Sequence, residues 1–332
     1  MDLSTQIEGD LIALLDDWFS LPETYDNELD AQIAQWYANP PQVWPKRDHP
    51  YFSPSALGAC PRELYIKTKY GNKVKDKRRQ QPHQGRWQKL GTLGGDLIQR
   101  ELLAIERNYE RLTGNVPRFR FARNSDGTPM FEDFAKTNKL VEQDGERFYL
   151  YGAPDGIMEY LTDDGEIVRV GLEIKSKQTT PAQTSLHTMR APDSGHARQV
   201  VAYAHMYDVD YYVILYVNYA KQRWFMTDEE YAKTPDIRAF CARITDEHKR
   251  EVFSKAVEVT RAVRENKPPK LDLDGWTFNN FKEACARDLS EEEVEELRQQ
   301  VKRAKYSSLP QWQIANYVRA VEEIEELRKG MK

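Results

Sequence analysis

Apolar and polar residues alternate along residues 167–175 in a pattern typical of a β-strand. One face carries the apolar set Val168, Val170, Leu172 and Ile174, and the other carries Ile167, Arg169, Gly171, Glu173 and Lys175. The run Asp163-Asp164-Gly165 just before it is a turn signal, because glycine adopts positive φ at little cost. The pattern predicts a β-hairpin across residues 151–177, and we place it at the centre of the protein.

The length of the turn decides which residues of this hairpin face each other. A three-residue turn at 163–165 pairs residue 162 with residue 166 and, counting back, places Asp155 opposite Glu173. Directly opposed residues of a hairpin share a face, with Cβ atoms about 5 Å apart. A two-residue Asp-Gly turn would shift the pairing by one residue, so both registers stay open at this stage.

Two opposed carboxylates have a distinct chemistry. They repel each other, so one of them binds a proton unless a cation lies between them. Carboxylate oxygens and waters are ligands that suit Mg²⁺ or Mn²⁺. Lys175, on the face of Glu173, completes an acid–acid–lysine cluster. An isolated Glu-x-Lys is more often an ordinary solvated strand face, so the rest of the chain has to support the functional interpretation.

Further elements follow from periodicity. Helical spacing of apolar residues predicts helices within 1–47, 53–69, 90–107 and 196–208, a long helix at 236–268, and two more before the C-terminus. Residues 211–218 are β-branched and aromatic almost throughout, which predicts a buried strand. Ser290 followed by Glu293 is a capping box that marks the start of one C-terminal helix.

Composition narrows the class of protein. The 332 residues are 40% hydrophobic and 30% charged with a net charge of −5, as in a typical soluble globular protein. No apolar run reaches the length of a membrane span, and the acidic N-terminus lacks the basic region of a secretory signal. The three cysteines, Cys60, Cys241 and Cys285, are too few and too dispersed for a disulfide framework. We therefore expect a cytoplasmic protein.

The central hairpin resembles a known nuclease motif. Pro154-Asp155 followed by Glu173-Ile174-Lys175 is similar to the PD-(D/E)xK motif of the restriction-endonuclease-like nuclease superfamily. Three companion segments occur in that superfamily's order: Cys60-Pro61-Arg62, a helix with Gly95, Gln99 and Glu101, and Gln199-x-x-x-Tyr203. Together they extend over roughly residues 50–225 and most resemble the RecB-type or phage-exonuclease-like branch.

The resemblance implies a fold and a domain organisation. The fold would be α/β, with a mixed central β-sheet flanked by helices and helical additions at both ends. The domains would be an N-terminal helical appendage at 1–47, a nuclease core at 48–235 and a C-terminal helical region at 236–332. The implied function is a metal-dependent DNA nuclease, with exonuclease action expected, in recombination, repair or phage genome processing.

The resemblance also implies roles for individual residues. Asp155, Glu173 and the backbone carbonyl of Ile174 would hold Mg²⁺ or Mn²⁺, and Lys175 would position or deprotonate the attacking water. Gln199 and Tyr203 would orient the lysine and the DNA strand. The partner would be DNA, together with a recombination or replication protein; no membrane partner is expected, and the oligomeric state is open.

The chain departs from the family pattern in two places. Glutamine stands at position 99 where relatives carry a metal-binding histidine, so Gln99 is expected beside the ligands. Glu101 is the nearest acid to the carboxylate that the resemblance implies, and it is therefore a candidate metal ligand. Some relatives bind an iron–sulfur cluster through four cysteines, whereas only Cys241 and Cys285 follow Cys60 here, so no iron–sulfur cluster is expected.

Basic residues near these segments are candidates for binding phosphates. The sequence predicts a basic loop at residues 67–89 and a lid-like loop at residues 178–195 beside Lys175. The DNA-binding candidates in and next to these loops are Lys73, Lys75, Lys77, Arg78, Arg79, Arg86, Lys177 and Arg190. Two alternatives remain open: a module that has kept the fold without catalysis and binds DNA or a protein, and a helical structural protein in which the hairpin is a coincidence.

Overall fold

A computed structural model describes residues 2–77, 81–221 and 223–330. The chain divides into two compact units. The first comprises Met1–Lys46, Gln80–Lys139 and Leu150–Arg250, and the second comprises Arg47–Arg79, Leu140–Tyr149 and Glu251–Lys332. The three-part domain division from the sequence stays a prediction.

The helices and strands have the following bounds. The helices are α1 (Leu3–Ser20), α2 (Asn27–Ala38), α3 (Pro61–Tyr70), α4 (Pro82–Thr113), α5 (Ser194–Tyr207), α6 (Asp228–Lys233), α7 (Asp246–Glu265), α8 (Lys282–Asp288), α9 (Glu291–Ala304) and α10 (Gln311–Lys329). The strands are β1 (Tyr51–Phe52), β2 (Phe119–Phe121), β3 (Thr137–Gln143), β4 (Glu146–Gly152), β5 (Gly156–Leu161), β6 (Ile167–Lys177), β7 (Tyr211–Asn218) and β8 (Ile237–Arg243).

The first unit is built on a mixed sheet with the strand order β2-β5-β6-β7-β8. Strands β6 and β7 are parallel, and the other neighbours are antiparallel. Helices α1 and α4 pack against the sheet, and so does α5. The predicted fold class, α/β with a mixed sheet flanked by helices, is confirmed.

The central hairpin has the register that a three-residue turn requires. Its pairs run from Gly156 opposite Leu172 to Leu161 opposite Ile167, and the Thr162 amide donates to the Glu166 carbonyl. Gly165 adopts φ of 80° in the turn, a conformation that favours glycine. One step beyond the first pair, the same register places Asp155 opposite Glu173, which confirms the predicted pairing.

The two faces of β6 have different environments. Its apolar face, with Val170 and Leu172, lies in a core that also contains Ile98 and Leu102 of α4 and Leu11 of α1. The opposite face carries the polar residues of the hairpin and lies under α5.

Gly171 leaves room on that polar face for the ring of Tyr212, its neighbour in β7. A Cβ at this position would lie 2.0 Å from the ring of Tyr212, which is fully buried, so only glycine fits. Tyr212 in turn stacks on Tyr203 of α5, with ring centroids 6.4 Å apart. The space left at position 171 is therefore filled by a ring that contacts α5.

Two predicted elements were wrong in detail. Residues 236–243 were expected in a helix, but Ile237–Arg243 forms β8, whose residues pair with β7 along its whole length. Residues 67–89 were expected as a basic loop, but α3 continues to Tyr70 and α4 begins at Pro82. Pairing with β7 overrides the local pattern of β8. The earlier start of α4 has a local cause, a capping box of Gln81 and Gln84 with Pro82 at the first helical position.

The second unit contains α3, α8, α9, α10 and most of α7. A sheet with the order β1-β4-β3 also belongs to it, except for the ends of β3 and β4, which continue into the first unit. The fully buried Arg62 of α3 donates to the carbonyl of Pro269 at 2.6 Å and to Asp288 at 2.7 Å, and also contacts Glu293. The predicted capping box of Ser290 and Glu293 starts α9.

Over residues 2–77, 81–221 and 223–330, no helix has both the length and the apolar character needed to cross a membrane.

Candidate active site

The acid pair lies at the open end of the hairpin. Asp155 directly precedes β5, and Glu173 lies in β6. Glu173 is 3% exposed, and the carboxylate of Asp155 accepts a hydrogen bond of 2.5 Å from the Ile174 amide. Burial and the charge of Glu173 raise the pKa of Asp155 to about 8. Burial likewise raises the pKa of Glu173, against the opposing effect of Lys175. The two carboxylates thus interact strongly, as expected of a pair that shares one proton or one cation.

Lys175 and Gln199 hold the carboxylate of Glu173. The Lys175 ammonium lies 2.6 Å from one oxygen of Glu173, and the Gln199 amide donates to the same oxygen at 2.8 Å. Lys175 also donates to the amide oxygen of Gln199 at 3.1 Å. Each of the three side chains contacts the other two, so the lysine is fixed in position.

Helix α5 places a row of polar side chains over the sheet. Asp193 caps its first turn by accepting from the amides of Gly195 and His196. Gln199 and Tyr203 are four residues apart and therefore share one face of the helix. Burial and the charges of Glu173 and Asp155 raise the pKa of Tyr203, so its phenol stays neutral beside the acid pair.

Helix α4 brings Gln99 to the other side of Asp155. The Gln99 side chain is 2% exposed, and its amide nitrogen donates to the Asp155 carbonyl at 2.9 Å. Its amide oxygen is buried and has no hydrogen-bond partner among the described residues. A buried carbonyl-type oxygen without a donor is costly, and a cation or its bound water would satisfy it.

Glu101 has its hydrogen-bond partner elsewhere in the first unit. Two residues along a helix turn the side chain by about 200°, so Glu101 and Gln99 point in nearly opposite directions. The carboxylate of Glu101 accepts a hydrogen bond of 2.6 Å from the indole of Trp18 in α1. The structure thus brings Gln99 to the acid pair, whereas Glu101 contacts helix α1. A metal-binding role for Glu101 stays a prediction, and its hydrogen bond to Trp18 does not support that role.

Two acids that the sequence did not single out lie near Asp155. The charge of Asp96, one turn before Gln99 on α4, raises the pKa of Asp155. Glu132 donates its amide to the Pro154 carbonyl, and burial with the charges of Asp96 and Asp155 raises its pKa. Glu132 has φ of 44°, a strained value for a side chain of its size. The spacing of Asp96 from Gln99 was visible in the sequence; nothing local marks Glu132.

The predicted DNA-binding residues are spread over both units. Lys73, Lys75 and Lys77 are exposed in the second unit, and Arg86 is exposed on α4 of the first. Lys177 ends β6, and Arg190 is exposed in the following loop, where it donates to the His187 carbonyl at 3.2 Å. Arg78 and Arg79 lie outside the described residues.

The donor set fits a hard divalent cation. Within the described part of the chain, no group of three or more His, Cys, Asp or Glu side chains forms a metal site. Mg²⁺, however, is commonly held by one or two carboxylates and several waters. The amide and carbonyl of a strand residue point to the same side, so the Ile174 carbonyl faces the side on which its amide meets Asp155. Asp155, Glu173, this carbonyl and the orphaned Gln99 oxygen are suitable ligands.

Cys60 is buried, and its sulfur accepts a hydrogen bond of 3.1 Å from the Asp272 amide. The absence of an iron–sulfur cluster stays a prediction.

Comparisons with known proteins found structural likeness only. No family model matches the sequence, and no curated protein matches it. The fold is similar to the crystal structure of SSO0001, with 12% identity, a TM-score of 0.42, and coverage of 80% of this chain and 97% of that chain. It is also similar to the alkaline exonuclease LHK-Exo from Laribacter hongkongensis, with 15% identity, a TM-score of 0.32, and coverage of 65% and 91%.

A phage-related exonuclease from Haemophilus somnus 129PT is similar at 11% identity, with a TM-score of 0.33 and coverage of 64% of this chain and 81% of that chain. TM-scores at this level do not establish a common fold, so the function has to be argued from the site of this chain.

Proposed function

We propose that this protein is a metal-dependent deoxyribonuclease that hydrolyses phosphodiester bonds, with exonuclease action. The observation that carries the proposal is the convergence of Asp155, Glu173 and Lys175 at one point of the sheet, in the register that the nuclease motif requires. A largely buried acid pair with an adjacent ammonium group is suited to holding a cation next to a phosphate. The partner is DNA, and the pathway is recombination, repair or phage genome processing.

The metal ligands would be Asp155, Glu173 and the carbonyl of Ile174, with Gln99 binding the cation or one of its waters. A bound Mg²⁺ or Mn²⁺ would lower the pKa of a coordinated water and neutralise charge on the phosphate. This assignment explains why the buried carboxylate of Glu173 lies beside that of the partly buried Asp155, with the ammonium group of Lys175 next to them.

Lys175 is the residue best placed to act on the substrate. Its contacts with Glu173 and Gln199 fix the ammonium group at the edge of the acid pair. From there it orients the attacking water or stabilises the negative charge that grows on the phosphate oxygens. Gln199 acts as a positioning residue, since it contacts both Glu173 and Lys175, and Tyr203 offers a neutral hydroxyl on the same helix face.

The test is cleavage of end-labelled linear DNA and of circular DNA by the purified protein, with Mg²⁺ and with a chelator. The proposal predicts Mg²⁺-dependent shortening of the linear DNA and no cleavage of the circle. Cleavage of both forms would replace exonuclease by endonuclease action. DNA binding without any cleavage would favour the alternative of a non-catalytic binding module.

A further inference from the structure

A second polar cluster adjoins the proposed site at the start of α5. His196 shares a helix face with Gln199, one turn away. Its ring packs against that of Tyr216 in β7, with centroids 5.7 Å apart. The ammonium of Lys177 lies over the ring of Tyr216, 5.1 Å from its centre. The nuclease motif includes neither His196 nor Tyr216.

The hydroxyl of Tyr216 determines which nitrogen of His196 carries the proton. It accepts a hydrogen bond of 2.9 Å from the Asp193 amide and lies 2.9 Å from Nδ1 of His196. Tyr216 is fully buried, and among the described residues Nδ1 is the one acceptor within reach of its hydroxyl proton. A buried hydroxyl donates its proton where it can, so Nδ1 accepts and Nε2 carries the hydrogen of a neutral ring.

The ring stays neutral near neutral pH. Burial and the positive charges of Lys175 and Lys177 lower the pKa of His196 to about 4, against the opposing effect of Asp193. Among the described residues, the ring of His196 forms its hydrogen bond through Nδ1, which leaves Nε2–H free to donate to a ligand. His196 therefore presents one fixed N–H donor next to two cations.

Lys177 supplies the charge of the cluster. It forms no ion pair with any residue that the structure describes, whereas Lys175 is bound to Glu173. Lys175 and Lys177 are two residues apart on one strand and share a face, which separates their Cα atoms by roughly 6.6 Å. Two lysines this close on one face can contact neighbouring phosphates of the same nucleic-acid strand.

We propose that Lys177 and the Nε2–H of His196 form a binding subsite for the phosphate next to the scissile one. The proposal rests on the nuclease function proposed above, because it takes Lys175 as the group at the scissile phosphate. Lys177 neutralises the phosphate, and His196 donates to one of its oxygens without adding charge. Tyr216 acts as a positioning residue that fixes the tautomer of His196.

The test measures binding in the Lys175→Ala background, so that it is independent of cleavage. The probes are fluorescent DNA oligonucleotides, each with a neutral methylphosphonate in place of one phosphate near the end. We expect one position at which this replacement weakens binding about tenfold, as the loss of a charge-assisted contact would. Adding His196→Ala or Lys177→Ala should reduce the penalty at that position to about twofold. His248→Ala, a histidine of α7 in the first unit, should leave it unchanged.

A second readout concerns the tautomer itself. Nitrogen NMR of the His196 imidazole should show hydrogen on Nε2 in the otherwise unchanged protein and a mixture of tautomers in Tyr216→Phe. The proposal is overturned if His196→Ala keeps the full methylphosphonate penalty at every position, or if the unchanged protein carries the hydrogen on Nδ1. Failure of the unaltered protein to cut DNA would instead refute the proposed function.

Discussion

Single side chains of the site differ in how far the sequence reveals them. Asp155 and Glu173 could be paired in advance because a strand alternates with period two and the turn fixes the register. Gln199 was recognisable from helical spacing and the motif. Glu132 was not, since its approach to the site depends on a strained backbone. The spacing of His196 from Gln199 was visible, but its hydrogen bond to the distant Tyr216 was not. Such contacts arise from tertiary packing, which leaves no local pattern.

Removing the ammonium group of Lys175 should abolish catalysis while DNA binding is retained. We expect Lys175→Ala to lower the cleavage rate about 10²-fold or more, since a group that stabilises developing charge is lost. DNA affinity should stay within about threefold, because other basic residues hold the strand. Rates on labelled DNA and binding by anisotropy measure the two effects. Lys139→Ala, whose lysine pairs with Asp208, serves as the control and should retain full activity; full activity of Lys175→Ala would contradict the assignment.

The pKa of Asp155 makes the stability of the metal-free protein depend on pH. A carboxyl whose pKa is about 8 in the folded state and about 4 in the unfolded state binds more protons when folded across that interval. The free energy of unfolding should therefore fall as pH rises from about 4 to about 8. Asp155→Asn lacks this titrating group. Over the same pH interval, its free energy of unfolding should fall less than that of the unchanged protein, with a difference of about 1 kcal/mol or more.

Urea unfolding in the presence of a chelator, at pH values of about 5 and about 8, measures this difference between the protein and Asp155→Asn. The same pH dependence in both proteins would show that Asp155 titrates normally.

At the scale of elements, periodic segments were predicted well and context-dependent ones were not. The hairpin of β5 and β6, helix α5 and strand β7 were found because each has a strong pattern of its own. Strand β8 was missed because its charged, alternating sequence is also compatible with a helix, and only pairing with β7 decides between them. Helix α4 was predicted from residue 90 and begins at Pro82, because polar residues of its first turns carry no apolar period.

Helix α4 needs glycine where it meets the strand end. A Cβ at Gly94 would lie 2.4 Å from the ring of Tyr219, whereas nothing lies within 4 Å of a Cβ at Gly95. Alanine favours a helix over glycine by about 1 kcal/mol at both positions. We expect Gly95→Ala to stabilise the protein and Gly94→Ala to be less stable than Gly95→Ala by about 1–3 kcal/mol, because Tyr219 must move.

Chemical denaturation of the two variants compares them directly, since the gain in helix propensity is common to both. Equal stability of Gly94→Ala and Gly95→Ala would mean that Tyr219 moves aside at no cost and that the close approach is unimportant.

For the whole molecule, position along the sequence is a poor guide to spatial units. The motif segments follow one another over roughly residues 50–225, yet Cys60-Pro61-Arg62 belongs to the second unit and the acid–acid–lysine cluster to the first. The sequence gives no sign of this division, because each unit is assembled from three separate stretches. In the second unit Arg62 has a structural explanation, as a buried cation bound by two acids and a carbonyl.

The second unit should depend strongly on Arg62. We expect Arg62→Ala to reduce the free energy of unfolding by about 3 kcal/mol, because it leaves Asp288 and Glu293 without their cation and opens a cavity. Arg298→Ala removes an exposed arginine that pairs with Glu325 on the same unit, and should cost less than about 1 kcal/mol. Urea unfolding of both variants provides the comparison, and a similar loss in the two would refute the structural role of Arg62.

The central claim is that Asp155 and Glu173 share a divalent cation, and calorimetric titration with Mn²⁺ tests it most directly. The protein and Lys175→Ala should both bind Mn²⁺, because the lysine is not a ligand. Asp155→Asn should bind Mn²⁺ at least about tenfold more weakly. Replacing a residue that only hydrogen-bonds to a metal ligand already costs about tenfold in affinity, and replacing a ligand should cost no less. Equal Mn²⁺ affinity of Asp155→Asn and the unchanged protein, or no binding by either, would contradict the account.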